Sequence, residues 1–314
     1  MAWFSKRRGG PAPVASGPGS TAAADGRPPL LAGRYRLGAR IGSGGAAVVH
    51  DAVDLRTGNN VAVKLFTLAD DLPPAERADW LARLQREADI GRRLQHPDIV
   101  AAQDAGLDGQ QPWLVMERVH GTDLARYTQP NRLLPEAVVL RIGARLGAAL
   151  AHAHVNGVVH RDLKPGNVLI NLGSGQIKLA DFGAARPEDS AVTRTGVTLG
   201  TPSYMAPELL AGAEASPASD AYALGVMLFE LLAGRRPHQA NNLGELLAAT
   251  ARQPPASLAV LRADLPAPAV LAVEALLARD PAHRPADLMR WSNHVAALAA
   301  LMSRVLAPSA STRL

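Results

Sequence analysis

Short runs in which apolar and polar residues alternate occupy the chain between residues 34 and 119, and turn-forming residues separate them. Such alternation is typical of half-buried strands. It predicts strands at 34–41, 47–53, 60–66, 100–107 and 112–119. One helical stretch interrupts the series: it begins at Pro73 and Pro74 and stops near Gln95, before Pro97. The first half is therefore predicted to be a sheet with one helix.

After residue 121 the apolar positions recur at helical spacing instead. One stripe of this kind is formed by Val139, Ile142, Leu146 and Leu150. Residues 221–232 are apolar on nearly every side, which predicts a helix buried in the middle of a domain. A strand-rich half thus precedes a helix-rich half, with the junction near residues 117–121, and we predict an α+β fold.

The two ends of the chain differ from this body. Residues 1–33 are rich in Gly, Pro, Ala and Ser and contain little to bury, so we expect a disordered tail there and a flexible tail at 302–314. Trp3 and Phe4 stand near three basic residues. They could contact a partner or an anionic membrane, although an incidental exposed terminus explains them more simply.

Composition narrows the class of protein. The chain has 314 residues, of which 47% are hydrophobic, enough for a sizeable core. The net charge of +5 suits an anionic partner such as a nucleotide, but a bias towards arginine explains it equally well. The absence of cysteine excludes disulfides and thiolate zinc sites. No apolar run approaches the roughly 20 residues of a membrane span. We expect a cytoplasmic protein with no transmembrane segment and no nucleic-acid partner.

Three separate features suggest phosphate chemistry in the first half. Residues 41–45 read Ile-Gly-Ser-Gly-Gly, and glycines allow a hairpin backbone to approach phosphate oxygens, although a flexible surface turn also fits. Lys64 ends an apolar strand, where it could serve as a point charge for phosphate. Glu87 lies on an apolar helix face, where an unpaired carboxylate is costly. Lys64 is its natural partner, unless the helix is rotated and leaves Glu87 in water.

The strongest signal lies in the second half. Residues 159–170 read Val-His-Arg-Asp-Leu-Lys-Pro-Gly-Asn-Val-Leu-Ile, and residues 177–183 read Ile-Lys-Leu-Ala-Asp-Phe-Gly. They place Asp162, Asn167 and Asp181 between apolar segments. These side chains are oxygen ligands or proton acceptors, which is the set needed to hold Mg²⁺ on a polyphosphate while an alcohol attacks.

In this order, the segments resemble the signature motifs of protein kinases. From Arg34 to about Leu301 the chain resembles bacterial eukaryotic-like (Hanks-type) serine/threonine protein kinases. The resemblance implies a bilobal protein-kinase fold, with an N-lobe at 34–118 and a C-lobe at 119–301. It also implies an ATP-dependent enzyme that transfers the γ-phosphate to Ser and Thr hydroxyls of proteins.

The resemblance assigns a role to each matching residue. Asp162 would accept the proton of the substrate hydroxyl and Lys164 would steady the γ-phosphate, while Asn167 and Asp181 would bind Mg²⁺ or Mn²⁺. Lys64 would contact the phosphates and pair with Glu87. The ATP-binding residues would be Ile41, Gly42, Ser43, Gly44, Gly45, Val49, Ala62, Lys64, Glu87, Met116, Glu117, Val119 and Leu169. Among them, Met116 resembles the gatekeeper, and Glu117 and Val119 the hinge whose backbone bonds adenine.

The resemblance also implies structural and regulatory residues. Asp220 would brace the catalytic loop, and Arg284 would pair with Glu208. Thr193 and Thr195 stand where resembling kinases autophosphorylate in trans, which requires a transient homodimer. Two positions depart from the family pattern. Ala47 replaces the third loop glycine, and Gly91 stands where an apolar helix residue is usual, so we expect a weaker helix that is easier to displace.

Three alternatives remain on sequence grounds. A pseudokinase would share the fold, but Lys64, Glu87, Asp162, Asn167 and Asp181 are all present. A kinase of small molecules is opposed by Lys164 and Glu208. A dinucleotide-binding oxidoreductase is opposed by the glycine segment, which does not open a helix in a βαβ unit.

Overall fold

A curled antiparallel sheet with one helix forms the first half of the protein, as seen in a computed structural model. The structure describes residues 30–44, 47–68, 73–182 and 202–306. The strands of this sheet are β1 (Leu30–Leu31), β2 (Tyr35–Gly44), β3 (Ala47–Asp54), β4 (Asn60–Phe66), β5 (Ala102–Asp108) and β6 (Gln111–Glu117). Their order is β1-β2-β3-β4-β6-β5. Helix α1 (Pro74–Arg93) lies between β4 and β5 in the chain. The predicted series of five strands and one helix is therefore present.

Each face of the sheet has its own small core, and helix α1 packs against one of them. Val61 and Val63 on β4 are fully buried and pack with Tyr35 and Trp113. Across the sheet, Leu84 and Ala88 of α1 pack against Leu114. Alternate residues of neighbouring strands thus serve the two faces, as the side-chain period of two requires.

Gly91 has a packing role that the sequence did not suggest. A Cβ atom at this position would lie 2.5 Å from the Cβ of Ala102, the first residue of β5. The glycine therefore lets α1 approach the sheet closely, where any side chain would collide. The expected weakening of the helix is accompanied by a contact that only glycine allows at this separation.

The N-terminal boundary of the fold lies earlier than the predicted residue 34. Leu30 and Leu31 pair with Arg36 and Tyr35 of β2, and Leu31 is buried. Arg34 then holds the edge of the sheet, donating to both carboxylate oxygens of Asp54 at 2.8 and 2.7 Å. The sequence missed β1 because two apolar residues after a Pro- and Gly-rich run show no periodicity.

The second half is mainly helical around one core. It contains a small sheet, β7 (Thr122–Asp123), β8 (Val168–Asn171) and β9 (Gln176–Leu179), in the order β7-β8-β9. Its helices are α2 (Glu136–Val155), α3 (Pro207–Leu210), α4 (Pro217–Ala233), α5 (Leu243–Arg252), α6 (Leu258–Leu261), α7 (Ala267–Leu276) and α8 (Leu288–Leu306). Nearly every residue of α4 is buried, as its apolar sequence predicted. Leu301 was the predicted end of the C-lobe, and helix α8 extends five residues beyond it, to Leu306.

Within the described ranges, no helix combines the length and apolarity needed to cross a membrane.

The segment after α1 joins the two halves through backbone bonds. Leu179 N–H on β9 donates to Asp98 O at 2.8 Å, and Val100 N–H donates to Leu179 O at 2.9 Å. The Asp98 carboxylate also accepts from Nε and Nη2 of Arg145 on α2. The strand that ends beside Asp181 is therefore attached to both lobes.

Arg284 anchors the helical lobe. Its guanidinium, fully buried, donates to the two Glu208 oxygens at 2.6 and 2.7 Å and to three backbone carbonyls. The predicted Arg284–Glu208 pair is therefore present. It fixes the start of α3 to the loop before α8.

We expect Arg284→Ala to lower the free energy of unfolding by about 3–5 kcal/mol, because it leaves a carboxylate without its cation in a shielded position. Chemical denaturation measures this change. The matched control is Arg290→Ala, at an exposed α8 residue, which should stay within about 0.5 kcal/mol of the wild type. Equal losses in the two variants would contradict the role of the pair.

Candidate active site

A cavity of about 870 Å³ separates the two lobes. Strands β2, β3, β4 and β6 border it on one side, and the loop before β8 borders it on the other. The predicted site residues that line it are Ile41, Gly42, Ser43, Val49, Ala62, Lys64, Glu87, Met116, Glu117, Val119, Lys164, Asn167, Leu169 and Asp181. Gly44 ends β2 and pairs with Ala47. Gly45, Thr193 and Thr195 fall outside the described residues.

Strand register explains how residues distant in sequence reach this cavity. Ala62 and Met116 are partners on β4 and β6, and Lys64 is the partner of Val49 on β3. Leu169 on β8 lines the cavity from the helical lobe. The apolar lining therefore comes from both lobes, which suits a flat apolar ring held between them.

The hinge residues present their backbone to the cavity. The Glu117 carboxylate accepts from Lys178 Nζ at 2.7 Å and from Ala101 N–H at 3.4 Å, so its side chain is already engaged. The Val119 N–H has no acceptor among the described residues. The main chain is therefore available here to a ligand with a hydrogen-bonding edge.

Lys64 forms its ion pair with Asp181. Its ammonium lies 2.7 Å from Asp181 Oδ1, where Glu87 was the expected partner. Burial acts to lower the pKa of Lys64, but the charges of Asp181 and Glu87 outweigh it, and the net direction is upward. Helical spacing correctly placed Glu87 on the buried face of α1. It could not show that Asp181, 117 residues further along, comes within hydrogen-bond distance of the same cation.

The catalytic-loop candidates form one connected group. Lys164 Nζ donates to Asp162 Oδ2 at 2.7 Å, and Asn167 Nδ2 donates to Asp162 O at 2.8 Å. Asn167 Nδ2 also lies 3.3 Å from Asp162 Oδ2. The Asp162 carboxylate is thus oriented by an ammonium and an amide, while Lys164 and Asn167 reach the cavity.

Asp220 holds this loop in place from α4. Its carboxylate accepts the N–H groups of His160 at 2.8 Å and Arg161 at 3.0 Å, and it lies 2.8 Å from His154 Nε2. Arg161 has φ of 72°, in the left-handed region that a residue with a side chain rarely adopts. The two backbone bonds support that conformation. The predicted bracing role of Asp220 is therefore confirmed.

The donor set fits a magnesium ion. Asn167 uses its Nδ2 within the protein, which leaves its amide oxygen as a ligand, and Asp181 supplies a carboxylate. In the described ranges, no group of three or more His, Cys, Asp and Glu side chains could hold a metal. Mg²⁺ commonly takes only one or two protein oxygens and completes its shell with water and substrate phosphates. The pair therefore suits Mg²⁺ better than a metal that needs a full protein cage.

Two site residues were not singled out from the sequence. Lys178 is only 9% exposed, and its alternation with buried Ile177 and Leu179 was a signal that its side chain points the other way. Asp123 on β7 lines the cavity just after the hinge. No local pattern marks Asp123, because only the pairing of β7 with β8 brings it there.

Comparisons with known proteins agree with this site. The protein kinase domain family matches residues 35–313. The serine/threonine-protein kinase PknA of Mycobacterium tuberculosis is 38% identical over 276 residues, which cover 86% of this chain and 62% of PknA. The serine/threonine-protein kinase PknL of Mycobacterium bovis is 41% identical over 210 residues, covering 66% of this chain and 51% of PknL.

Solved structures share the fold. The kinase domain of Mycobacterium tuberculosis PknI has a TM-score of 0.65 at 31% identity, covering 84% of this chain and 96% of that domain. Rad53 (residues 1–466) in complex with AMP-PNP has a TM-score of 0.67 at 25% identity, covering 83% and 64%. The predicted bilobal α+β fold is confirmed. The chain spans about half the length of the curated relatives it matches. Because the family match covers nearly all of its length, this chain belongs to the protein kinase family, and its curated relatives are bacterial serine/threonine kinases, as its motifs predicted.

Proposed function

We propose that this chain transfers the γ-phosphate of ATP to Ser and Thr hydroxyls of proteins, releasing ADP. The observation that carries the proposal is a set of two lysines and a candidate metal pair that line one cavity, namely Lys64, Lys164, Asn167 and Asp181. Asp162 adjoins them, because its carboxylate lies 2.7 Å from the ammonium of Lys164. The preference for Ser and Thr rests on Lys164, two residues after Asp162, and on the names of the curated relatives.

ATP would bind with its adenine between the apolar residues of the two lobes. Val49 and Ala62 would cover one ring face and Leu169 the other. The adenine edge would bond the backbone of Glu117 and Val119, because the Glu117 side chain is held by Lys178. Asp123, at the C-lobe end of the hinge, is placed to accept from the ribose hydroxyls.

The triphosphate would extend beneath the glycine segment towards Lys64. Ile41, Gly42 and Ser43 line that part of the cavity. The raised pKa of Lys64 keeps its ammonium charged at neutral pH, so it can bind phosphate oxygens while Glu87 and Asp181 remain nearby. Asn167 and Asp181 would hold Mg²⁺ or Mn²⁺. When bound, that ion supplies positive charge to the phosphate oxygens and helps to orient them.

Asp162 would act on the substrate hydroxyl. Its carboxylate would accept the hydroxyl proton as the new O–P bond forms and the bond from the γ-phosphate to ADP breaks. Lys164, 2.7 Å from Asp162, would add positive charge beside the transferred phosphate. Asp220 supports both roles because it holds the backbone on which Asp162 stands.

We expect Asp162→Asn, Lys64→Met and Asp181→Asn each to reduce phosphate transfer about a hundredfold or more, with little change in melting temperature. Each substitution removes a positioned charge and little packing. Labelling of a generic basic protein and release of ADP, with Mg²⁺ present, measure the effect.

The control is Asp79→Asn, which neutralises an exposed carboxylate on α1 and should leave turnover at the wild-type rate. Asp162→Asn should still bind ATP, because Asp162 contacts the attacking hydroxyl. Wild-type turnover in both Lys64→Met and Asp162→Asn would show that the assignment is wrong.

We further propose that phosphorylation of Thr193 and Thr195 activates the enzyme. Both lie outside the described residues, in the segment between Asp181 and Glu208. Arg161 is exposed, directly precedes Asp162 and has no carboxylate partner among the described residues. A phosphothreonine carries about −1.5 to −2 charges and forms charge-assisted hydrogen bonds with guanidinium groups. Such a contact would link the modified segment to the catalytic loop. The reaction in trans requires a transient homodimer.

The double change Thr193→Ala, Thr195→Ala is expected to lower turnover several-fold without unfolding the protein. The reason is that the charge available to Arg161 is lost. Thr198→Ala should have a smaller effect. Mass spectrometry of active enzyme locates the phosphates. Finding both threonines unmodified, together with full activity of the double variant, would rule out this mechanism.

The remaining partners follow from the reaction. Protein substrates with exposed Ser or Thr are required, and ATP supply together with the absence of cysteine suits the cytoplasm. We propose no nucleic-acid partner, because the cationic groups of the site are accounted for by phosphates of ATP and by internal carboxylates.

A further inference from the structure

A second cavity, of about 350 Å³, opens on the helical lobe between α3, α4, α5 and the end of α7. It shares no lining residue with the cavity between the lobes. Its lining includes Pro207, Tyr222, Arg252, Pro254, Leu277 and Arg279. Neither the proposed reaction nor the Arg284–Glu208 anchor uses the space inside it.

One part of this cavity is apolar. Tyr222 and Leu277 are almost completely buried beneath it. Pro254 and Pro255 contribute a wall with restricted backbone geometry and no N–H donors. His238 also lines the cavity, and burial lowers its pKa, so its ring is neutral at physiological pH. This part is suited to an apolar side chain.

Tyr222 adds a hydrogen-bond donor that lacks an acceptor. Its side chain is buried, and its hydroxyl makes no hydrogen bond within the described part of the chain. Burial raises its pKa to about 12, so it carries its proton at neutral pH. The guanidinium of Arg284 lies over its ring, 4.9 Å from the centroid. The Tyr222 hydroxyl is not one of the buried side-chain groups that lack a partner, so the atom is accessible, and an oxygen of a ligand in the cavity can accept from it.

Two cations at the rim also lack partners. Arg252 and Arg279 are exposed, and in the described ranges neither has a carboxylate within ion-pair distance. Some exposed arginines elsewhere in the described ranges, such as Arg161, likewise have no carboxylate partner, but Arg252 and Arg279 both line the same cavity. The two rim cations are therefore available to an anion from outside the described fold.

We propose that this cavity docks an acidic peptide segment of a protein partner. A carboxylate would accept from Tyr222 and pair with Arg252 or Arg279, and a neighbouring apolar side chain would enter the space over Leu277. A peptide supplies both groups at once, whereas inorganic phosphate supplies only the charge. Complementary charge at the rim would also favour encounter with acidic partners. The proposal does not depend on phosphate transfer, so its failure would leave the proposed function unaffected.

The test is binding of the full chain to an array of immobilised hexapeptides in which Glu alternates with Leu or Phe. The same array with Gln in place of Glu serves as the uncharged comparison. We expect retention on the Glu peptides alone, and weakening by added salt. The double change Arg252→Glu, Arg279→Glu should reduce affinity about tenfold or more. Tyr222→Phe, which keeps the ring under Arg284, should reduce it several-fold.

The matched control is Arg290→Glu, which reverses an exposed charge on α8 away from the cavity lining. Melting temperature and binding of a fluorescent ATP analogue verify the fold of each variant. Where charge reversal unfolds the protein, the double change to Gln carries the test. Equal binding of Glu and Gln peptides, no binding to either array, or equal losses in the control and cavity variants would each overturn the proposal.

Discussion

The active site depends on the hydrogen bonds that the buried carboxylate of Asp220 accepts from the catalytic-loop backbone. It accepts two consecutive backbone N–H groups, those of His160 and Arg161, and thereby holds a left-handed residue directly before Asp162. Without an acceptor inside the fold, those two donors would be buried and unsatisfied. Helix α4 can supply the acceptor because it lies at the centre of the helical core. The segment that carries Asp162 is thus positioned by a helix whose residues are mostly buried.

The lysines at the cavity are each paired with carboxylates inside the protein. Lys64 lies in the field of Asp181 and Glu87, and Lys164 contacts Asp162. Each ammonium stabilises a carboxylate that would otherwise be costly to bury. This arrangement places carboxylates where they can accept a proton or bind a metal. It also means that each lysine has an internal partner that a phosphate must share.

Much of this could be predicted from the sequence, since period and motif are local properties. The alternation in β2–β6, the apolar run of α4 and the residues of the catalytic loop were all predicted, and the structure brings most of the assigned residues to one cavity. What could not be predicted depends on approach between distant segments. The pairing of Lys64 with Asp181 and the contact of Gly91 with Ala102 are of this kind. Strand β1 was missed for a different reason, because two residues are too few to show a pattern.

Strand β9 restricts how the two lobes can move. Its backbone bonds Asp98 and Val100 of the segment that leaves α1, and its Lys178 holds Glu117 at the hinge. A sliding displacement of one lobe would break these contacts together. A rotation about the two crossing segments, near residues 98–101 and 117–121, would preserve them. These contacts therefore favour rotation of the lobes about the two crossing segments over a sliding displacement.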